Sequence, residues 1–420
     1  MKIQATVISE TVKPQGQEKE YKLDGVTLTV SKVDKDAAFS YKLSGNTLTI
    51  TASKNCVINI NELKNKNLNI VIDNKSSYLT LNSNVKVNSI TNNANNSIIN
   101  GSAQDDNIVN NGKNVIIHAG KGEDSIRNDG VNTVIFAGAG NDTVVNTGLN
   151  AVISGGAGND SLSSTGDKAV IDGDAGNDTI SSRGNNTTIS GGDGVDKITN
   201  RGSGVKISGG ADTDVIYNYG EKTVINGDAG NDRLVNSINN VTLLGGAGND
   251  SISNTGERVS IDGGADNDTI SNRGNNATLS GGADNDKITN KGEKVVLSEK
   301  AGFDLIDGRV YVEGKILTGI NPVNKKYYED GLLKTGIVFD KTTNTTYKYI
   351  KGDLIYTIQD QNESNNKIDI DTTNDKINFA IKPEELYQGD NIVITKDGYV
   401  MIANANDEFC VFYPTGIFLF

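Results

Sequence analysis

One aspartate returns every eighteen residues, at 106, 124, 142, 160, 178, 196, 214, 232, 250, 268, 286 and 304, with no insertion across twelve laps. So constant a period makes each lap one structural unit stacked on the last, since an insertion would throw every later unit out of step. "GGAGNDSLSSTGDKAVID" at 155–172 is followed by "GDAGNDTISSRGNNTTIS" at 173–190. Each lap has two nine-residue halves: G-G-x-G-x-D-x-I-x, as at 245–253, and N-x-G-x-x-V-x-I-x, as at 254–262. Apolar positions lie two apart in each half, a strand period, and glycines mark the turns. The spacing therefore predicts an all-β solenoid of strand, turn, strand, turn. Each strand would pair with its equivalent one lap on, about 4.8 Å away, in two parallel sheets.

The pattern also names the core. One inward column is Ile108, Ile126, Val144, Leu162, Ile180, Ile198, Ile216, Leu234, Ile252, Ile270, Ile288 and Ile306. The facing column is Ile117, Ile135, Ile153, Ile171, Ile189, Ile207, Ile225, Leu243, Ile261, Leu279 and Leu297. Proline agrees: Pro14, Pro322, Pro383 and Pro414 all lie outside the array, where no ladder N–H is lost. With 48 Gly, no Trp and 35% hydrophobic residues, the chain suits a slender solenoid better than a layered globular core.

Stacking would bring the aspartates within one strand spacing of each other. Two unit charges at ~4.8 Å repel by about 3.5 kcal/mol at an effective dielectric near 20. A column of such pairs calls for positive charge between the carboxylates. Glycine turns let backbone carbonyls bend inward beside them. The resulting all-oxygen cage suits Ca²⁺, whereas Zn²⁺ would want a Cys or His column. The metal reading therefore takes the carboxylates Asp124, Asp142, Asp160, Asp178, Asp196, Asp214, Asp232, Asp250, Asp268 and Asp286. It adds the lap-opening glycines Gly155, Gly173, Gly191, Gly209, Gly227, Gly245, Gly263 and Gly281. Ten such turns offer up to about nine gaps for calcium. A solvated Asx-turn column without metal is the competing reading.

These residues resemble a known family. "GGAGND" at 155–160 and 245–250, "GDAGND" at 173–178 and 227–232, and "GGDGVD" at 191–196 match the RTX, or haemolysin-type, calcium-binding nonapeptide GGxGxDxUx. "GGADTD" at 209–214 and "GGADND" at 263–268 and 281–286 put Asp at the fourth position. "AGKGED" at 119–124 and "AGAGND" at 137–142 open with Ala. The resemblance implies a parallel β-roll and type I secretion through an uncleaved C-terminal signal. In the family both halves of a lap commonly carry the motif. Here the second half has Ala151, Ala169, Thr187, Val205, Thr223, Val241, Val259, Ala277 and Val295 in place of the acid. It also keeps an amide or hydroxyl column running from Asn110 through Ser164 and Ser182 to Asn290. Calcium is thus expected along one edge and a stacked Asn ladder along the other.

The expected organisation is an N-terminal β cap over 1–81, the roll over 82–308, a Tyr/Gly hairpin-repeat segment over 309–360 and a C-terminal segment over 361–420. The last would mix strands with a short helix at "KPEELY" (382–387) and hold a possible secretion signal. Tyr311, Tyr327, Tyr328, Tyr347 and Tyr349 offer a glycan contact or plain hairpin packing.

A net charge of −13 argues against nucleic acid and anionic membrane, and no apolar run reaches membrane-spanning length. "MKIQATVISETVKPQ" has no apolar h-region, so a cleaved secretory signal is not expected. Cys56 and Cys410 have no metal-binding spacing, and His118, the one histidine, falls at an outward position. No GxSxG, HExxH or P-loop occurs, so no enzyme is expected. The outward column Ser161, Thr179, Lys197, Val215, Arg233 is too interrupted by charge for an ice-binding threonine face. The reading is an extracellular or cell-surface calcium-binding module that folds on external calcium, acting structurally or by self-association. A calcium-dependent adhesin or glycan binder acting through 309–420 is the alternative, and a secreted hydrolase with an unrecognised C-terminal site is a more distant one.

Overall fold

The computed structural model describes residues 67–298 continuously, strand segments between 6 and 63, and short strands between 303 and 413. The chain forms two units, 1–302 and 303–420.

The first unit is a parallel β-roll. One sheet is built from four-residue strands such as Ser161–Ser164, Thr179–Ser182 and Lys197–Asn200. The other uses six-residue strands such as Val152–Ala157, Val170–Ala175 and Thr188–Asp193. Register follows the sequence period: Leu162 pairs with Ile180, and Ile153 with Ile171, each eighteen residues on. Both predicted Ile columns point inward and are almost wholly buried. At about 25 cal/mol per Å² of apolar surface, each such side chain contributes roughly 2 kcal/mol of burial. Leu297 departs from the expected column: it is 39% exposed, because the last rung of this unit, Val296–Leu297, has a parallel neighbour on one side only.

The longer strands explain what else the interior contains. Val170–Ala175 alternates exposed and buried positions, so Gly173 faces inward beside Ile171. Thr179–Ser182 likewise turns Ile180 and Ser182 inward. Each lap thus presents to the interior one isoleucine-type residue per sheet, a small opening residue, the aspartate at one turn and an amide or hydroxyl near the other.

Parallel stacking begins earlier than residue 82. Thr47–Ala52 pairs in parallel with Asn69–Ile72, and Cys56–Leu63 with Leu79–Ser83. These first laps are longer: Thr47 meets Asn69, 22 residues on, and Asn69 meets Ser89, 20 residues on. A fixed eighteen-residue search passes over them. Antiparallel strands precede them on both sheets, Phe39–Ser44 beside Thr47–Ala52 and Val26–Lys32 beside Cys56–Leu63. That arrangement covers the N-terminal edges, which would otherwise invite strand addition.

In the second unit, Gly336–Asp340, Thr345–Ile350 and Asp353–Gln359 form an antiparallel sheet, as do Asn391–Ile394, Val400–Ala403 and Cys410–Tyr413. The expected helix at 382–387 lies outside the described residues, as do the tyrosine side chains of the glycan reading. No helix among the described residues is long and apolar enough to cross a membrane.

Candidate metal centre

The aspartates are buried inside the roll. From Asp106 to Asp286 each is 0–2% exposed. From Asp124 to Asp286 each carboxylate folds back toward the preceding lap, where Oδ1 accepts the backbone N–H of the previous aspartate. Asp160 donates to Asp178 at 2.7 Å, Asp178 to Asp196 at 2.7 Å, and the chain of bonds runs unbroken from Asp106 to Asp286. A solvated Asx-turn column is not what forms.

The second oxygen is left over. Oδ2 of Asp124, Asp142, Asp160, Asp178, Asp196, Asp214, Asp232, Asp250 and Asp268 is buried with no hydrogen-bond partner. An unpaired buried carboxylate oxygen is costly, and the titration reflects it. Burial pushes Asp178, Asp196, Asp232 and Asp250 up to about 6. It pushes Asp124, Asp160, Asp214 and Asp268 to about 7, with neighbouring carboxylates adding to the rise and the accepted amide opposing it. Asp142 shifts the same way, again mainly through burial.

The opening glycines make the space for these oxygens. Gly173 faces inward beneath its own lap's carboxylate. A Cβ there would lie under 3.0 Å from Asp178 Oδ2 and from the carbonyl oxygen of Gly191 in the next lap. The same pair of oxygens crowds the same corner at Gly155, Gly191, Gly209, Gly227, Gly245 and Gly263. At Gly281 the Asp286 carboxylate crowds it likewise. All eight predicted glycines therefore sit beside the predicted carboxylates. Asp124 and Asp142 stand in the same column, but the residues opening their laps are Ala119 and Ala137, both inward and fully buried. Asp106 differs again: its Oδ2 accepts the Ser102 amide.

This donor set consists of one carboxylate oxygen per lap and backbone carbonyl oxygens. Among the described residues no cluster of three or more His, Cys, Asp or Glu is placed to hold a metal. Hard oxygen donors without sulfur or imidazole suit calcium, and the orphaned Oδ2 supplies the unmet negative charge such an ion would satisfy. The acids that replace motif glycines fit because they take the left-handed backbone: Asp174 and Asp228 at the second position and Asp212, Asp266 and Asp284 at the fourth have φ between 70° and 74°.

The opposite turn carries the amide ladder. Asn110 Nδ2 donates to Asn128 Oδ1 at 2.7 Å, and Asn128 to Asn146 at 2.6 Å. Each asparagine also bonds both the N–H and the carbonyl of the residue two positions on, which is Gly130 for Asn128 and Ile238 for Asn236. The ladder resumes at Asn200 and runs to Asn290. Ser164 and Ser182 interrupt it, and Ser182 Oγ is buried without a partner. A left-handed column in this turn escaped the sequence reading, since Lys168, Lys222, Arg258 and Lys294 occupy it beside Asn132 and Asn150. The recurring asparagines were its one signal. His118 points outward as expected and stacks on Phe136, ring centroids 4.8 Å apart.

A family model for the RTX calcium-binding nonapeptide repeat (4 copies) matches residues 132–150, 145–180 and 165–198. No curated protein matches the chain. Among solved structures, "X-ray crystal structure of a hyperactive, Ca2+-dependent, beta-helical antifreeze protein from an Antarctic bacterium" matches at 24% identity and a TM-score of 0.40, covering 57% of this chain and 78% of that one. Residues 132–198 thus match RTX calcium-binding nonapeptide repeats, and they fold as part of a parallel β-roll.

Proposed function

We propose that this run of RTX repeats is a secreted structural module whose roll is completed by external calcium and then presented outside the cell or at its surface. One observation carries the reading: a file of buried carboxylates, each with one oxygen bonded to the lap before and, from Asp124 to Asp268, the other without a partner. Asp160, Asp178, Asp196, Asp214, Asp232, Asp250 and Asp268 would hold the ions through Oδ2, together with the carbonyl oxygen of the next lap's opening glycine. Calcium would supply the positive charge that these burial sites lack.

The residues dictate the rest. With Oδ2 ionised and alone, every lap carries an uncompensated buried charge, and the glycines add a large ordering entropy. Neutralising the file converts binding free energy into folding free energy. Extracellular calcium modules work at about 10⁻⁴–10⁻³ M, well above cytosolic calcium, so the laps would stay open inside the cell and close outside. A structural role suits an interior that repeats one acid and one amide or hydroxyl per lap with no convergent catalytic group.

The test is far-UV circular dichroism with calcium added and then chelated, on the parent and on the triple substitution Asp178→Ala/Asp196→Ala/Asp214→Ala. A reversible gain of β signal, much reduced in the triple variant, is expected. A signal indifferent to both calcium and the substitutions sinks the reading.

A further inference from the structure

The roll is not uniform along its length, and its interior changes character near residue 150. From residue 47 to 83 the inward positions are filled by apolar pairs: Leu48 with Ile50, Ile58 with Ile60, Ile70 with Ile72, Leu79 with Leu81, all nearly or wholly buried. From 101 to 150 one isoleucine-type residue per strand remains, accompanied by Ala119 or Ala137 on one sheet and Asn110, Asn128 or Asn146 on the other. From 155 onward the inward companion on the longer strands is a glycine, and the aspartate Oδ2 and a backbone carbonyl oxygen converge on the corner that a side chain would fill.

The chemistry of that corner changes with it. At Gly155 and its six successors through Gly263, Asp Oδ2 and the next lap's carbonyl both lie under 3.0 Å from where a Cβ would stand. At Ala119 and Ala137 a real methyl occupies this position. Lap 101 opens with Gly101, but there Asp106 has turned its Oδ2 onto the Ser102 amide, and it is Oδ1 that is buried without a partner.

We infer that calcium enters only the seven gaps between the eight glycine-opened laps from Gly155 to Gly281, and that the rungs from 47 to 150 fold without metal as the template for the calcium-dependent laps. This rests on the calcium reading above and narrows it from every aspartate to those whose Oδ2 converges with the next lap's carbonyl oxygen on a glycine corner. Physically, the upstream rungs bury two large side chains per strand at their start, and carboxylate oxygens without a partner occur in them at Asp106, Asp124 and Asp142 alone among the described residues. The downstream rungs bury one per strand and leave a carboxylate in every lap. The ready-made edge of the Thr143–Asn146 and Val134–Ala139 rungs then supplies the ladder groups onto which the first glycine-opened lap pairs.

Hydrogen–deuterium exchange read by mass spectrometry on the full chain, in chelator and in calcium, tests the division. Peptides within 47–150 should be protected in both conditions, and peptides within 155–290 only in calcium. Rapid exchange of 47–150 in chelator, or protection of 155–290 there, overturns it. Bound calcium counted by elemental analysis after dialysis should be about seven per chain. Ala137→Gly should raise the count by one, by opening the corner that Asp142 Oδ2 and the Gly155 carbonyl share. An unchanged count in Ala137→Gly, or nine or more ions in the parent, overturns the narrowing while leaving the calcium reading intact. No bound calcium at all sinks the calcium reading itself.

Discussion

Proton and calcium should relieve the same buried charge in this roll, and the pH at which one takes over from the other follows from the buried carboxylates. Eight of them titrate at about 6 to about 7 in the folded chain against 3.8 in a free aspartate. Burial is the first cause in each, so the folded state holds its protons more tightly than the unfolded one. Without metal, the stability linked to those protons is complete below pH 4. It drains away as pH rises, because the unfolded chain ionises first, and the loss levels off once the folded carboxylates ionise near pH 7. A rise from 3.8 to about 6 corresponds to about 3 kcal/mol per carboxylate at 1.36 kcal/mol per unit. Discounting this by about half for screening and for mutual coupling along the file leaves roughly 1–2 kcal/mol each, on the order of 10 kcal/mol for the seven from Asp160 to Asp268. That is comparable with the entire stability of an ordinary domain, 5–15 kcal/mol, so chelated laps should not survive fully ionised.

Urea unfolding followed by far-UV circular dichroism at pH 5, 6, 7 and 8 reads this out. In chelator the midpoint should fall from pH 5 to about pH 7 and then level off. In millimolar calcium it should hold nearly level over the same range, since the ion replaces the departing proton on Oδ2. The two curves lie close together near pH 5 and separate above about pH 6. A chelated midpoint that stays flat or climbs between pH 5 and 8 would show that these carboxylates are neither buried nor unpaired in solution, and the argument for the cation would go with it.

The amide ladder supports two further predictions. Asn128→Ala removes the bonds to Asn110, Asn146 and Gly130 from a buried ladder, and it should cost about 2–3 kcal/mol, read as a lowered urea midpoint in calcium. Ser182→Asn should restore a missing rung between Ser164 and Asn200 and give the buried polar group at 182 its partners, raising the midpoint by about 1 kcal/mol; a lowered midpoint would mean the interior there lacks room for an amide.

Much of this architecture is legible in a single pass along the chain. The Ile108-to-Ile288 and Ile117-to-Leu279 columns, the asparagine stack and the aspartate file all stand where an eighteen-residue repeat puts them, because strand alternation assigns each position a side of the sheet. The repeat is silent on the laps before 82, whose spacings of 22 and 20 residues break the count although their apolar alternation makes them rungs of the same roll. It is equally silent on Lys168 and Arg258 in a left-handed turn, since neither residue signals that conformation.

Residue type and spacing alone thus establish that laps stack, which residues line the interior and which carboxylates fall in file. The direction each carboxylate takes comes from three-dimensional packing. Whether Asp178 reaches solvent or folds inward depends on the amide of Asp160 one lap away and on the missing side chain of Gly173, and no local preference encodes either. The substitution of Ala137 for glycine is a single methyl in the sequence. Only where that methyl stands against a buried oxygen does it become the difference between a filled corner and an open one.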